Sequence, residues 1–279
     1  MVLRFFMLAV AFLLSCTDVK RDDPDDPKSK YYNSGNVSSS SSEDETVSSS
    51  SENETPSSSS QSKGIPGPSV SYEGGTYNSV VIGTQTWMSR NLNYAVPGSK
   101  CGKGSELVDK NTEICDTYGR FYEWKTAMAL DSICEFTSCA SKIKPKHQGI
   151  CPDGWHIPSN SDWNTLLRYV DLNAGTKLKA DVGWNTFGTT AARGTDNFGF
   201  YALPGGWGGP PLQYIGNRGY WWSATEEHSS DDASYWVNDW VYMMISATAY
   251  YWLMENDSPV LTREYTGKNL FLSVRCLKD

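Results

Sequence analysis

Residues 65–279 predict one α+β domain with small irregular antiparallel sheets, two main helices and long loops, stapled by disulfides. Three observations carry this. Glycine and proline punctuate short segments throughout, only two segments show helical periodicity, and six cysteines are spread along the stretch. It also holds all eleven tryptophans, and about 215 residues suffice to bury a substantial core.

In chain order, Ser79–Ile82 and Thr86–Trp87 read as the first strands. Gly119–Asp131 predicts a helix that buries Phe121, Trp124, Met128 and Ala127. The stronger helix opens at Ser159, which can cap it while Asp162 reaches back to complete a capping box. Trp163, Leu166, Leu167 and Val170 then follow at i, i+3, i+4 and i+7, a single apolar face. Further strands are expected at Phe200–Leu203, Tyr220–Ser223, Ser234–Tyr242 and Leu270–Cys276.

The six domain cysteines are Cys101, Cys115, Cys134, Cys139, Cys151 and Cys276. An even number in an exported chain implies disulfides, and six allow about fifteen pairings. Proximity favours Cys101–Cys115 and Cys134–Cys139, which leaves Cys151 for Cys276. A zinc site is the alternative, but the spacing lacks paired C-x-x-C knuckles.

Export is read from the N-terminus. Arg4 precedes an apolar run from Phe5 to Leu14, too short to span a bilayer and followed by Ser15-Cys16. Leu13-Leu14-Ser15-Cys16 resembles a bacterial lipobox, so residues 1–15 are expected to be a signal peptide and Cys16 the lipidated residue. Thr17 rather than aspartate follows Cys16, which by known sorting rules favours an outer-membrane destination, with surface display a further expectation. Membrane attachment would run through this anchor, since several acyl chains hold where one alone binds marginally.

Residues 16–64 form the expected tether. Half of residues 33–62 are serine, in blocks separated by acidic spacers, a composition too polar to fold. Residues 17–64 carry ten acidic and five basic side chains, whereas 65–279 carry 22 and 18. The formal net charge of −8 and the lack of a basic stripe exclude nucleic acid as a partner.

Several blocks together resemble the Fibrobacter succinogenes major paralogous domain. They include Val81–Met88 with Arg90–Tyr94, Tyr118–Trp124, Cys151–Ser159, Gly194–Phe200 with Ala202–Gly206, Tyr220–Glu226 and Ser273–Cys276. They occur in the family's order over about residues 70–279, and the serine-rich lipoprotein tether suits that family's cell-surface setting. The family is defined by sequence and has no established activity. Its blocks are distantly similar to C-type-lectin-like domains, which share their architecture with formylglycine-generating enzymes. The resemblance therefore implies a C-type-lectin-like fold, in which a disulfide from the first helical region to the last strand would fit.

Candidate sites follow from this. Trp236-Val237-Asn238-Asp239 resembles the lectin Trp-Asn-Asp motif with one residue inserted, making Asn238 and Asp239 candidate calcium ligands. Its companion Glu-Pro-Asn loop is missing, so no cofactor is expected beyond that one candidate. Tyr250, Tyr251 and Trp252 lie outside the recognisable blocks and are the expected exposed, ligand-binding aromatics, suited to stacking on sugar faces. Catalysis is not expected. Cys276 is the only cysteine of the C-terminal half, where the oxidases use a close pair. The adjacent carboxylates Glu226-Glu227 and Asp231-Asp232 read as solvated turns, and His156 as a structural hydrogen-bonding residue. The expected function is non-catalytic recognition at the cell surface, with polysaccharide or another surface polymer as ligand. The alternative is a structural or protein-interaction module of the envelope.

Overall fold

A computed structural model describes residues 64–186, 194–209, 211–227 and 247–279. Short strands dominate its first third. Ile65–Pro66 (β1) pairs with Ser79–Ile82 (β4), and Val70–Tyr72 (β2) pairs with Gly75–Tyr77 (β3). A two-residue turn leads from β4 to Gln85–Met88 (β5), as the apolar pattern predicts. Cys101–Lys103 (β6) and Glu106–Val108 (β7) form a separate hairpin. The chain's last strand, Leu277–Lys278 (β14), slots between β5 and Trp155–His156 (β8), so the two ends of the domain share one sheet of order β1-β4-β5-β14-β8.

The stronger predicted helix forms as Asn160–Val170, with the capping box complete. Asp162 N–H donates to Ser159 Oγ at 3.3 Å, and Ser159 N–H donates to the Asp162 carboxylate at 2.8 Å. Its face of Trp163, Leu166, Leu167 and Val170 is buried. The other predicted helix, Gly119–Asp131, does not form as one element. In its place are α1, Glu113–Tyr118, and a single turn α2, Trp124–Ala127; the capped helix is then α3, and Ala174–Leu178 is α4. Gly119 explains the break. It has φ of 79°, and a Cβ there would lie 2.7 Å from the Leu92 carbonyl oxygen. Phe121 and Tyr122 instead form single bridges to Lys100 and Leu272.

Trp207–Gly208 (β9) and Leu212–Gln213 (β10) form a small ribbon. A three-stranded antiparallel sheet then joins Arg218–Glu226 (β11), Thr248–Glu255 (β12) and Leu261–Gly267 (β13). This sheet divides the core. Because strand side chains alternate, Trp221 and Trp252 face α3, where Trp252 stacks on Trp163 at 5.8 Å and Trp87 and Phe200 complete the cluster. Trp222 and Leu253 face the other way, towards Tyr122, Trp124 and Val274.

Two predicted strands are corrected. Phe200–Leu203 is interrupted by Tyr201 at φ of 54°, and only Ala202 makes a bridge, to Lys179. Leu270–Cys276 distributes its backbone among different partners, through single bridges from Phe271, Leu272 and Ser273 to Gly208, Tyr122 and Trp221. Ser234–Tyr242 lies outside the described residues.

At the centre, Asn91 Oδ1 accepts from Arg275 Nε at 3.1 Å, from Arg275 Nη2 at 2.7 Å and from Trp221 Nε1 at 2.8 Å. Asn91 Nδ2 donates to the Tyr118 carbonyl at 2.8 Å. The Arg275 guanidinium is buried, donates also to the carbonyl of Phe200, and lies 4.3 Å from the Phe200 ring.

Three disulfides form, Cys101–Cys115, Cys134–Cys139 and Cys151–Cys276, the pairing that proximity favours. They span separations of 14, 5 and 125 residues. Loop-closure entropy makes the last the most stabilising, about 5 kcal/mol against about 2 kcal/mol for the shortest. Replacing Cys151 and Cys276 together by serine is expected to lower the denaturation midpoint more than replacing Cys134 and Cys139. Equal shifts in urea titrations would contradict this ranking.

Candidate functional site

Two charged clusters are built into the interior, one around Glu226 and one around His156. Glu226 and Lys268 form a fully buried ion pair. The Lys268 ammonium also donates to the carbonyls of Cys134 at 3.0 Å and Thr137 at 3.1 Å, and sits 4.4 Å over the Trp124 ring. Glu226 in turn accepts from Ser138 Oγ at 2.6 Å and Cys139 N–H at 2.8 Å. Burial opposes its ionisation, but the bonds from Lys268, Ser138 and Cys139 outweigh it and hold its carboxyl below the ordinary value. All three Lys268 donors are spent, and both Glu226 oxygens accept from interior donors. Glu226 is thus not the solvated turn residue its sequence context suggested; Glu227 accepts from the Tyr250 hydroxyl at 3.3 Å.

His156 is also buried, with Nδ1 2.7 Å from Asp279 Oδ1 and Nε2 3.6 Å from Asp162 Oδ2. It joins β8 to the chain's last residue and to the α3 cap. Among the described residues no group of three or more His, Cys, Asp or Glu side chains is placed to hold a metal ion. Asn238 and Asp239, the candidate calcium ligands, lie outside the described residues, as does Cys16.

The aromatic candidates separate. Adjacent strand residues point to opposite faces, so Tyr250, Tyr251 and Trp252 of β12 do not share a surface. Trp252 is 0% exposed, and its Nε1 donates to Asn160 Oδ1 at 3.2 Å. It is a core residue, a correction to its expected role. Tyr250 packs edge-on to Tyr265 with centroids 6.2 Å apart, under the Arg263 guanidinium at 5.0 Å. Tyr251 alone lines a cleft.

That cleft, about 210 Å³, opens on the sheet face opposite Trp252. Its floor follows from alternation: Arg218 and Tyr220 on β11, Tyr251 on β12 and Thr266 on β13 all project to this side. Tyr220 and Tyr251 rings lie 5.6 Å apart. Leu270 and Leu272 also line it, and Trp207 and Tyr214, which precede the sheet in the chain, supply its wall. The wall is held by Gly206, at φ of 73°, where a Cβ would lie 2.1 Å from the Gln213 carbonyl oxygen. Gly206 N–H donates to the Arg218 carbonyl at 2.8 Å, tying wall to floor.

Arg218 is fixed from several sides. Its guanidinium stacks 4.6 Å from the Tyr214 ring, and Nη2 meets Glu255 Oε1 at 2.7 Å. Burial, reinforced by the Tyr220 hydroxyl and the Glu264 carboxylate, raises the Tyr251 phenol, so it remains a protonated donor at neutral pH. The arrangement is an apolar aromatic slot with a few fixed polar groups, the usual make-up of a small-ligand site. Sequence reasoning missed Trp207, Tyr214, Arg218 and Thr266. The spacing of Arg218, Tyr220 and Trp222 at i, i+2 and i+4 was the signal available.

The fold and cleft define a disulfide-stapled α+β domain with an aromatic cleft on one sheet face. The chain belongs to the Fibrobacter succinogenes major domain family, whose model matches residues 80–278. No curated protein and no solved structure matches it.

Two outcomes are expected of the buried ion pair. Lys268→Met should cost about 3–5 kcal/mol by stranding a buried carboxylate, and adding Glu226→Gln should recover part of that loss in urea unfolding. An additive loss would show the two residues to be uncoupled. The second concerns acid. Because Glu226 ionises more readily folded than unfolded, the unfolded chain takes up its proton first as pH falls below about 4.3, its ordinary value. The stability it confers is present above that pH and lost below it, so Glu226→Gln should flatten the acid limb of a stability–pH profile.

Proposed function

We propose that this is a C-type-lectin-like recognition domain of a lipid-anchored envelope protein, binding polysaccharide without catalysis. The observation that carries this reading is the cleft of Trp207, Tyr214, Tyr220 and Tyr251 with Arg218 at its edge. Aromatic plates with polar rims suit sugar rings, which offer apolar C–H faces and hydroxyl edges. The fold supports the lectin-like part of the reading, because a disulfide ties the segment before α3 to the final strand. Three oxidised cysteine pairs support export, and the Leu13–Cys16 lipobox supplies the anchor in the outer membrane.

The test is a pull-down of the full oxidised chain on insoluble cellulose and xylan, with calcium and with EDTA. Retention that survives EDTA and falls about tenfold in Trp207→Ala is expected. Retention abolished by EDTA would move the site to Asn238 and Asp239, and no retention on either polymer would move the assignment to a protein partner.

A further inference from the structure

The cleft's size and charge say more than that it is aromatic. At about 210 Å³ it lies below the roughly 300–1,000 Å³ of sites for drug-sized ligands. That volume has room for about one sugar ring, not a run of them. Among the described residues Arg218 is the only charged side chain lining it, and its charge is already met by Glu255 at 2.7 Å. An anionic ligand would have to compete with that carboxylate.

The polar groups that remain suit hydroxyls. Arg218 uses two nitrogens on Glu255 and Tyr220, leaving further N–H donors of its five. Trp207 Nε1, the Tyr251 hydroxyl and the Thr266 hydroxyl make no hydrogen bond to the described residues. Tyr214 holds its place at φ of 62°, a conformation costly for a bulky side chain and one that concentrates at ligand sites. It is 42% exposed, so burying its ring in the core does not compensate that cost.

We infer that the cleft binds one uncharged pyranose unit, a chain end or a side branch, and not an extended stretch of polysaccharide. This rests on the carbohydrate reading above and narrows it. In the bound state the ring's apolar face lies on Trp207, with Arg218, Thr266 and the Tyr251 hydroxyl reaching its hydroxyl edge.

The test uses the full oxidised chain and intrinsic tryptophan fluorescence, confirmed by calorimetry. The probes are methyl β-glycosides of glucose, xylose, mannose and galactose, their β-1,4-linked hexamers, and methyl β-glucuronide. At least one neutral glycoside is expected to bind with a Kd within threefold of its hexamer and at least tenfold tighter than the glucuronide. Tyr251→Phe, which removes only a hydroxyl, should weaken it about fivefold, and Tyr265→Ala, on the opposite face of the sheet, should leave it unchanged. Affinity rising more than tenfold from monomer to hexamer, or a glucuronide bound as tightly as the neutral sugar, would overturn this inference while leaving carbohydrate recognition standing. No response to any probe would overturn both.

Discussion

The side chain of Asn91 is the point on which the domain turns. One amide oxygen receives the guanidinium of Arg275 and the indole N–H of Trp221, and the amide nitrogen holds the Tyr118 carbonyl. Four segments far apart in sequence are thereby fixed to one another in the interior. The constraint behind this is general for a chain with so little regular structure. Buried backbone carbonyls must be paired, and short strands cannot pair them all. Buried cations take over that task. Arg275 serves Phe200, Lys268 serves Cys134 and Thr137, and Lys179 serves Glu255 at 2.7 Å and Ser258 at 2.9 Å. Each ammonium or guanidinium is a multi-donor hub where a helix or ladder would otherwise be needed, and the cost of burying its charge is offset by several bonds at once.

This explains why the recognisable blocks of the sequence are where they are. Arg90–Tyr94, Tyr118–Trp124, Tyr220–Glu226 and Ser273–Cys276 each contribute a member of the Asn91 hub or a neighbour of it. They are organised by contact with one another, not by local propensity. The cleft shares its floor with them: Arg218 and Tyr220 belong to the strand that carries Trp221, while Trp207 stands on a separate ribbon and Tyr214 directly follows it. Rigidity of the floor therefore derives from the core, and variation in the wall can change the slot without disturbing the hub.

How much of this was legible in the sequence depended on the range of the interaction. The α3 cap and its apolar face are local, written within a dozen residues, and form as read. The disulfides follow from spacing once export is assumed. The run from Gly119 to Asp131 has helical periodicity, yet Gly119 approaches Leu92 too closely for a helix to begin there, a contact invisible from either segment alone. Tyr250, Tyr251 and Trp252 read as a cluster because they are neighbours in sequence. Once β12 is recognised as a central strand paired on both sides, its period of two sends Trp252 to the core and Tyr251 to the cleft. The wall was illegible for a different reason, since Trp207 and Tyr214 meet Tyr251 only through tertiary packing.

The long disulfide also has a mechanical meaning. Every residue lining the cleft falls between Cys151 and Cys276, inside the loop that this bond closes. Along the covalent chain, traction entering from the N-terminal side of the domain reaches the cleft across residue 151, where the sulfur link passes part of it directly to the segment before β14. Were the segments before Cys151 to give way under load, as a shock absorber does, the covalent ring around the cleft would still keep its circumference.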